Sequence, residues 1–232
     1  MSRGRLHTRW LRLCLKLGRL PVVGRAARRL AMRGFKPYTG AVPLARLLPD
    51  GFVSPDARVH VDIFERGRNC FVGDGVLLMN EQGGGGIHLG NGVKVLEHST
   101  LLTSEGGSIH IGDHTSIQPR CQFSAVKGSI RIGSRVEIAP ACAFYPYNHG
   151  MAPDMPIQKQ PLTSKGDIEV GDEAWLGYGV ILLDGARVGR GAVVAAGAVV
   201  TSEIPDMAIA VGTPAKVIAY RDREIQANDS RE

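Results

Sequence analysis

Between Val170 and Val200 the chain is written in six-residue words: VGDEAW, LGYGVI, LLDGAR, VGRGAV, VAAGAV, and then V again. The first place is always aliphatic, at Val170, Leu176, Leu182, Val188, Val194 and Val200. The fifth is always small or β-branched, at Ala174, Val180, Ala186, Ala192 and Ala198. A period of six suits neither a helix, with about 3.6 residues per turn, nor plain strand alternation. It fits a chain that runs straight for a few residues, turns, and runs straight again. Each straight sends its aliphatic residue inward. The small fifth residue lets the next segment come close, and the frequent glycines accept turn dihedrals that other residues resist. Three such words close one triangular coil, and stacked coils bury a single aliphatic column.

The words begin faintly at Val53 and Val59 and strengthen at Val72. Four similar coil starts follow: Ile87-His-Leu-Gly90, Ile109-His-Ile-Gly112, Ile130-Arg-Ile-Gly133 and Ile168-Glu-Val-Gly171. The first two intervals are 22 and 21 residues, three words plus a short turn; the third is 38. The surplus lies in a loop over 145–167, and insertions in solenoids gather on one face, often the binding face. The expected organisation is a basic helix and linker over 1–50, a β-helix over 51–218 and a polar C-terminal tail over 219–232.

Composition agrees with a solenoid filled by Val, Ile and Leu: 30 glycines stand beside only 6% aromatic residues. The four cysteines, at 14, 70, 121 and 142, form no CxxC pair. Cys121 and Cys142 occupy fifth places, so small core residues and free thiols are expected rather than a disulfide or zinc framework.

The formal charge of +6 hides an asymmetry. Residues 1–49 hold 12 of the 28 Lys and Arg and no acidic residue, so the remainder is net negative. Residues 5–20 read as an amphipathic helix with Leu6, Trp10, Leu13, Leu17 and Leu20 on one face. Arg5, Arg9, Arg12, Lys16 and Arg19 follow the same spacing on another. The apolar runs are too short for a membrane span or a secretory signal. Peripheral contact with an anionic membrane through residues 1–36 is one reading. Packing on the protein itself or on a neighbouring subunit is the other. Five prolines between Pro21 and Pro55 mark a connecting segment, with room for a second basic helix near Arg25–Arg33. Nucleic-acid binding is not expected, since the helix lacks interleaved stacking aromatics.

Four segments, Asp172-Glu-Ala-Trp-Leu-Gly177, Gly197-Ala-Val-Val-Thr201, Ile204-Pro205 and Gly212-Thr-Pro-Ala-Lys216, carry a family signature in order and separation. With them the chain resembles the hexapeptide-repeat acetyltransferases over residues 72–220. The resemblance is to the branch of maltose, galactoside, Nod-factor and polysaccharide or lipopolysaccharide O-acetyltransferases. Asn148-His149 and Pro156-Ile157-Gln158 look most like its surface-polysaccharide members. The resemblance implies an all-β, left-handed parallel β-helix. Spacing does not disclose that handedness, which runs against the usual right-handed crossover. It also implies a homotrimer, acetyl-CoA bound between neighbouring β-helices, a sugar or glycan acceptor and no metal. With free thiols it points to the cytoplasm.

The chemistry such a reaction asks of side chains is limited. A thioester is already activated, so no covalent enzyme intermediate is needed. A sugar hydroxyl becomes a competent nucleophile only as a base takes its proton, and neutral imidazole suits that task. The resemblance gives this role to His149, with Asn148 beside it and Trp175 flanking the acceptor pocket. It gives coenzyme A contacts to Gly177, Tyr178, Ala195, Ala196, Thr201, Ser202 and Lys216. Arg221 or Arg223 stands in for a charge where this chain has Ala219. Tyr178 replaces a usually small residue and Ser202 a common Lys. Asn80, Gln118 and Gln122 are candidates for a polar acceptor contact from the adjacent subunit. Three alternatives are weighed: a nucleotide-sugar N-acetyltransferase, a non-catalytic scaffold, and a γ-carbonic-anhydrase-like zinc protein, for which the His spacing after His114 is wrong.

Overall fold

Three parallel sheets of short strands enclose one aliphatic column. The computed structural model describes residues 2–20, 23–36 and 38–221. Each coil contributes one strand to each sheet. Sheet A starts at Phe52–Val53, sheet B at Arg58–His60 and sheet C at Phe64–Arg66, and every later strand stacks on its equivalent one coil below. Seven coils stack this way, the seventh ending at Glu203–Ile204. The chain then adds Ala208–Val211 to sheet A and folds Lys216–Tyr220 back antiparallel on it.

The coil starts read from the sequence share one register in sheet C: Ile87 pairs with Ile109, Ile109 with Ile130, and Ile130 with Ile168. The first-place residues of the words, Leu176, Leu182, Val194 and Val200, are fully buried, and Val170 and Val188 nearly so. Phe123 and Phe144 fill the column in coils 4 and 5, their rings stacked at 4.2 Å. All four cysteines are buried and free.

In the words that leave sheet C, the second and third letters have a physical origin at the corner between sheets C and A. A Cβ on Gly171 would sit 2.6 Å from the Arg190 backbone nitrogen, so only glycine allows the coils to close there. Beside it, a side-chain oxygen receives the neighbouring coil's N–H. Asp172 Oδ1 accepts from Ser134 N at 2.8 Å and Asp206 Oδ1 from Arg190 N at 2.7 Å. This ladder satisfies turn donors that stacking alone would leave without partners.

The corners differ in length. Between sheets A and B every corner of the seven coils has four residues, and between C and A the connections are nearly as uniform. Between B and C they run from two residues, at 201–202, to the long insertion at 146–167. This one edge takes up the variation in coil length.

The N-terminal segment forms α1 (Ser2–Leu17), α2 (Gly24–Met32) and a 3-10 helix, Tyr38–Arg46, where a connecting segment was expected. Its buried side chains are Leu11, Cys14, Leu15, Ala31, Ala41, Leu44 and Ala45. They cluster with Phe52, Phe71 and Leu96, so the segment covers the outer face of sheet A at the lowest coils. The face of α1 that docks is therefore Leu11, Cys14 and Leu15. The stripe Leu6, Trp10, Leu13, Leu17 and Leu20 lies exposed. Of the polar tail expected over 219–232, Ala219 and Tyr220 instead belong to the last strand, Lys216–Tyr220, held by its pairing with Ala208–Val211; Arg221 follows, and the rest lies outside the described residues.

Candidate active site

The long insertion leaves coil 5 at the corner between sheets B and C. Its base is a two-stranded antiparallel ribbon, Asn148–His149 against Leu162–Thr163, with His149 opposite Leu162. The flap beyond is braced from within by Gln160. That side chain accepts from Ala152 N at 2.8 Å and donates to the Ala152 and Met155 carbonyls at 2.9 and 2.7 Å. Asp184, buried one coil above, accepts from Lys165 N at 3.2 Å and ties down the returning strand. The His149 imidazole is exposed and has no side-chain hydrogen-bond partner among the described residues.

On the approach to His149 lies a polar and aromatic cluster on the outside of sheet B. Tyr145 donates its hydroxyl to Gln122 Oε1 at 2.7 Å and meets Tyr147 edge-on at 5.8 Å. Tyr147 and Ser124 hydroxyls are 3.5 Å apart. Burial, and then the neighbouring Tyr147, hold the Tyr145 phenol above its ordinary pKa, so it remains a donor. Sequence reading named Gln122 but not these tyrosines. The signal was available in Tyr145-Pro-Tyr-Asn-His149, where two phenols lead directly into the imidazole.

A second set of residues gathers at the corner between sheets A and B. Gly177, Tyr178, Ala195 and Ala196 occupy equivalent corners of coils 6 and 7, and Gly197 N donates to the Tyr178 carbonyl at 2.8 Å. Trp175 projects from the adjoining strand of sheet A, in register with Val193. Trp175 is 53% exposed and Tyr178 62%. Gly179 and Gly197 hold φ of +67° and +72°, and an added Cβ on either would meet nothing within 4 Å. Lys216 pairs with Val211 at the adjacent edge. One coil down this corner carries Ala139-Pro140, and two coils down Gln118-Pro119. Prolines there offer no N–H. At Tyr178 and Ala196 the N–H is present and has no acceptor among the described residues. The corner therefore presents outward amide donors flanked by small side chains and two rings.

The remaining candidates lie elsewhere. Thr201 and Ser202 sit at the corner between B and C, on the flap's side of the molecule. Arg221 stands at the third corner, where its Nη1 donates to the Gly191 carbonyl at 2.6 Å. Asn80 donates to Asp62 at 2.9 Å, and Gln118 accepts from the Tyr38 hydroxyl. Sheet B separates the two main sets. In coil 6 the sheet B strand between them is Ile181–Leu183, with Gly177–Gly179 before it and Asp184 at the flap's edge after it. Within one protomer His149 and the small-residue corner are not brought together. Among the described residues no three His, Cys, Asp or Glu side chains converge as a metal site.

Comparison with known proteins gives the relationship. No family model matches the chain. It is 30% identical over 153 residues to the galactoside O-acetyltransferase of Lactococcus lactis, covering 66% of this chain and 61% of that one. It is 47% identical over 55 residues to a 2,3,4,5-tetrahydropyridine-2,6-dicarboxylate N-acetyltransferase of Staphylococcus aureus, covering 24% and 23%. The matches thus span less than two thirds of these relatives' lengths. Among solved structures, the polySia-specific acetyltransferase NeuO superposes with a TM-score of 0.59 at 17% identity, over 76% of this chain and 98% of that one. Word period, coil register and the superposition on NeuO agree on the fold: the chain is a left-handed parallel β-helix, similar in part of its sequence to known acetyltransferases.

Proposed function

We propose that the protein transfers an acetyl group from acetyl-CoA to a hydroxyl of a sugar within a saccharide. The observation that carries this reading is the corner formed by Gly177–Gly179 and Ala195–Gly197. Its outward N–H groups and small side chains suit the amide-bearing arm of coenzyme A, which must lie close to backbone to be held by it. Lys216, exposed at the edge of this corner, offers a charge to a phosphate. The donor brings an acyl group already activated as a thioester. The chain's own part is to bind it, orient the acceptor and move one proton.

That proton goes to the unbonded imidazole nitrogen of His149. An exposed neutral imidazole takes the hydroxyl proton as the oxygen attacks and passes it to the departing thiolate. Tyr145, Tyr147 and Gln122 supply donors and acceptors suited to sugar hydroxyls next to it. Trp175 and Tyr178 supply ring faces for the pantetheine or the sugar.

The placement of the two sets at opposite edges of sheet B supports a three-fold assembly in which the flap of one protomer closes over the small-residue corner of the next. Met151, Met155 and Ile157 on the flap are exposed, which suits a surface that docks on a neighbour. Buried free thiols and an acetyl-CoA donor favour the cytoplasm, and no described helix is long and apolar enough to cross a membrane.

The test is thiol release from acetyl-CoA against a panel of sugars, amino sugars and nucleotide-sugars, with His149→Ala as control. Acceptor-dependent release that the substitution abolishes supports the reading, and acetylation of amines alone would replace it with N-transfer. Full activity in a monomer at micromolar concentration would end the shared-site geometry.

A further inference from the structure

The N-terminal helices present three sectors with different partners. At about 100° per residue, Leu11, Cys14 and Leu15 of α1 share the sector buried against the β-helix. Leu6, Trp10, Leu13 and Leu17 share a second, and Leu20 follows in the turn beyond α1; these five are between 39 and 65% exposed. Arg9, Arg12 and Lys16 form a third, adjacent to the apolar stripe and away from the docked face. The third sector is not spent on the fold. The described ion pairs of the segment are Arg19 with Asp50 and Arg29 with Asp56, and Arg28 Nη1 donates to the Val53 carbonyl at 3.2 Å. No ion pair within the described residues involves Arg9, Arg12, Lys16, Arg25 or Arg33. On α2, Leu30 is likewise exposed, beside Arg25, Arg29 and Arg33.

The stripe is also held rigidly. A Cβ on Gly24 would lie 2.5 Å from the Gly18 carbonyl oxygen, so the turn between the helices closes on bare backbone. With α1 docked through its other face, the stripe cannot roll inward without exposing Leu11 and Leu15. A second copy of this surface is a poor occupant, because each would bring a basic sector against a basic sector. A nucleic acid would satisfy the charge and leave five apolar side chains unused. An anionic bilayer satisfies both, with Leu and Trp entering the headgroup boundary and the guanidinium groups meeting lipid phosphates.

We infer that α1 and α2 form a peripheral docking surface for an anionic membrane, through the exposed Leu6–Leu20 stripe and its flanking Arg9, Arg12 and Lys16. This stands apart from the acetyl-transfer reading, since vesicle binding needs neither acetyl donor nor acceptor.

The experiment is flotation of the full chain with phosphatidylcholine vesicles, with and without about one third phosphatidylglycerol. Flotation with the anionic vesicles, lost above about 0.5 M salt, is expected. The double variant Leu13→Glu and Leu17→Glu should abolish it. The triple Arg9→Gln, Arg12→Gln and Lys16→Gln should weaken partitioning about 100-fold. Unchanged thermal unfolding of both variants checks that only exposed positions were altered. No flotation of the wild type, equal flotation with neutral vesicles, or equal flotation of the Leu13→Glu, Leu17→Glu chain overturns the proposal. So does a fall in molar mass by light scattering in that variant without loss of lipid binding, which would assign the stripe to a second copy.

Discussion

The outer face of sheet A is used in two ways along its length. At the lowest coils its outward residues are Phe52 and Phe71, both 2% exposed beneath the helical segment. At coils 5 to 7 the same ladder continues as Glu137, Trp175 and Val193, with Trp175 half exposed. Backbone and register are the same in both halves; what changes is whether a second layer lies on top. A parallel β-helix completes its core inside the coils, so either outward aromatic can be removed from the layer without opening the column. The lower half spends its outward rings on holding a helical layer, and the upper half leaves them available to a ligand.

The largest effect that would separate the halves is catalytic. His149→Ala should lower turnover by roughly 100- to 10,000-fold, the usual value of a general base, while leaving thermal unfolding unchanged, because the imidazole supports nothing in the fold. Equal losses of activity and stability would deny the upper region its separate role. Next comes Phe71→Ala, expected to cost about 3–5 kcal/mol for a ring buried between layers, read by denaturant unfolding. Trp175→Ala on the same ladder should move unfolding by under about 0.5 kcal/mol and instead raise KM for the acetyl donor. If the two substitutions cost the same stability, the halves are not distinct.

A smaller effect sits at the donor corner. Gly197→Ala should cost about 1–2 kcal/mol from its φ of +72°, yet its methyl meets nothing within 4 Å. Any further loss in donor affinity would therefore report a ligand lying there. The smallest is a pH effect on sheet C, outside both halves. His110 is stacked on His88 at 4.5 Å, and burial, His88 and Arg131 hold its pKa below the ordinary value. A histidine whose folded pKa is depressed binds its proton more readily when unfolded, so stability should fall as pH drops through the ordinary imidazole range near 6.5. His110→Gln should flatten that slope below pH 6.5, measured by thermal unfolding.

Much of the fold is legible in the sequence. Ile87, Ile109, Ile130 and Ile168 are spaced by coil length alone, and stacking coils on that spacing leaves them one register in sheet C. The insertion was visible as surplus chain. The docking face of α1 was less so. Leu6, Trp10, Leu13 and Leu17 make the longer apolar stripe, but Leu11, Cys14 and Leu15 form a second one. Which of two apolar faces packs is decided by the partner, here Phe52, Phe71 and Leu44. Candidate site residues were harder still, because His149 and the Gly177–Ala196 corner lie on different edges of the solenoid. A linear motif reading treats them as one site. Only the three-sheet geometry shows the width of sheet B between them.

The unequal corners have an evolutionary reading. Every connection between sheets A and B keeps four residues, so the edge proposed to hold the donor offers no room for insertion without shifting each strand above it. Between B and C, lengths from two residues to a 22-residue flap are absorbed with the register intact. Mutational drift in chain length is thereby channelled to the edge that carries His149 and the tyrosines. On the proposed assignment of acceptor to the flap edge and donor to the other, a lineage of such proteins can exchange one acceptor for another by recasting a single flap without disturbing the donor corner. Grafting residues 146–167 between relatives would transplant selectivity as a cassette.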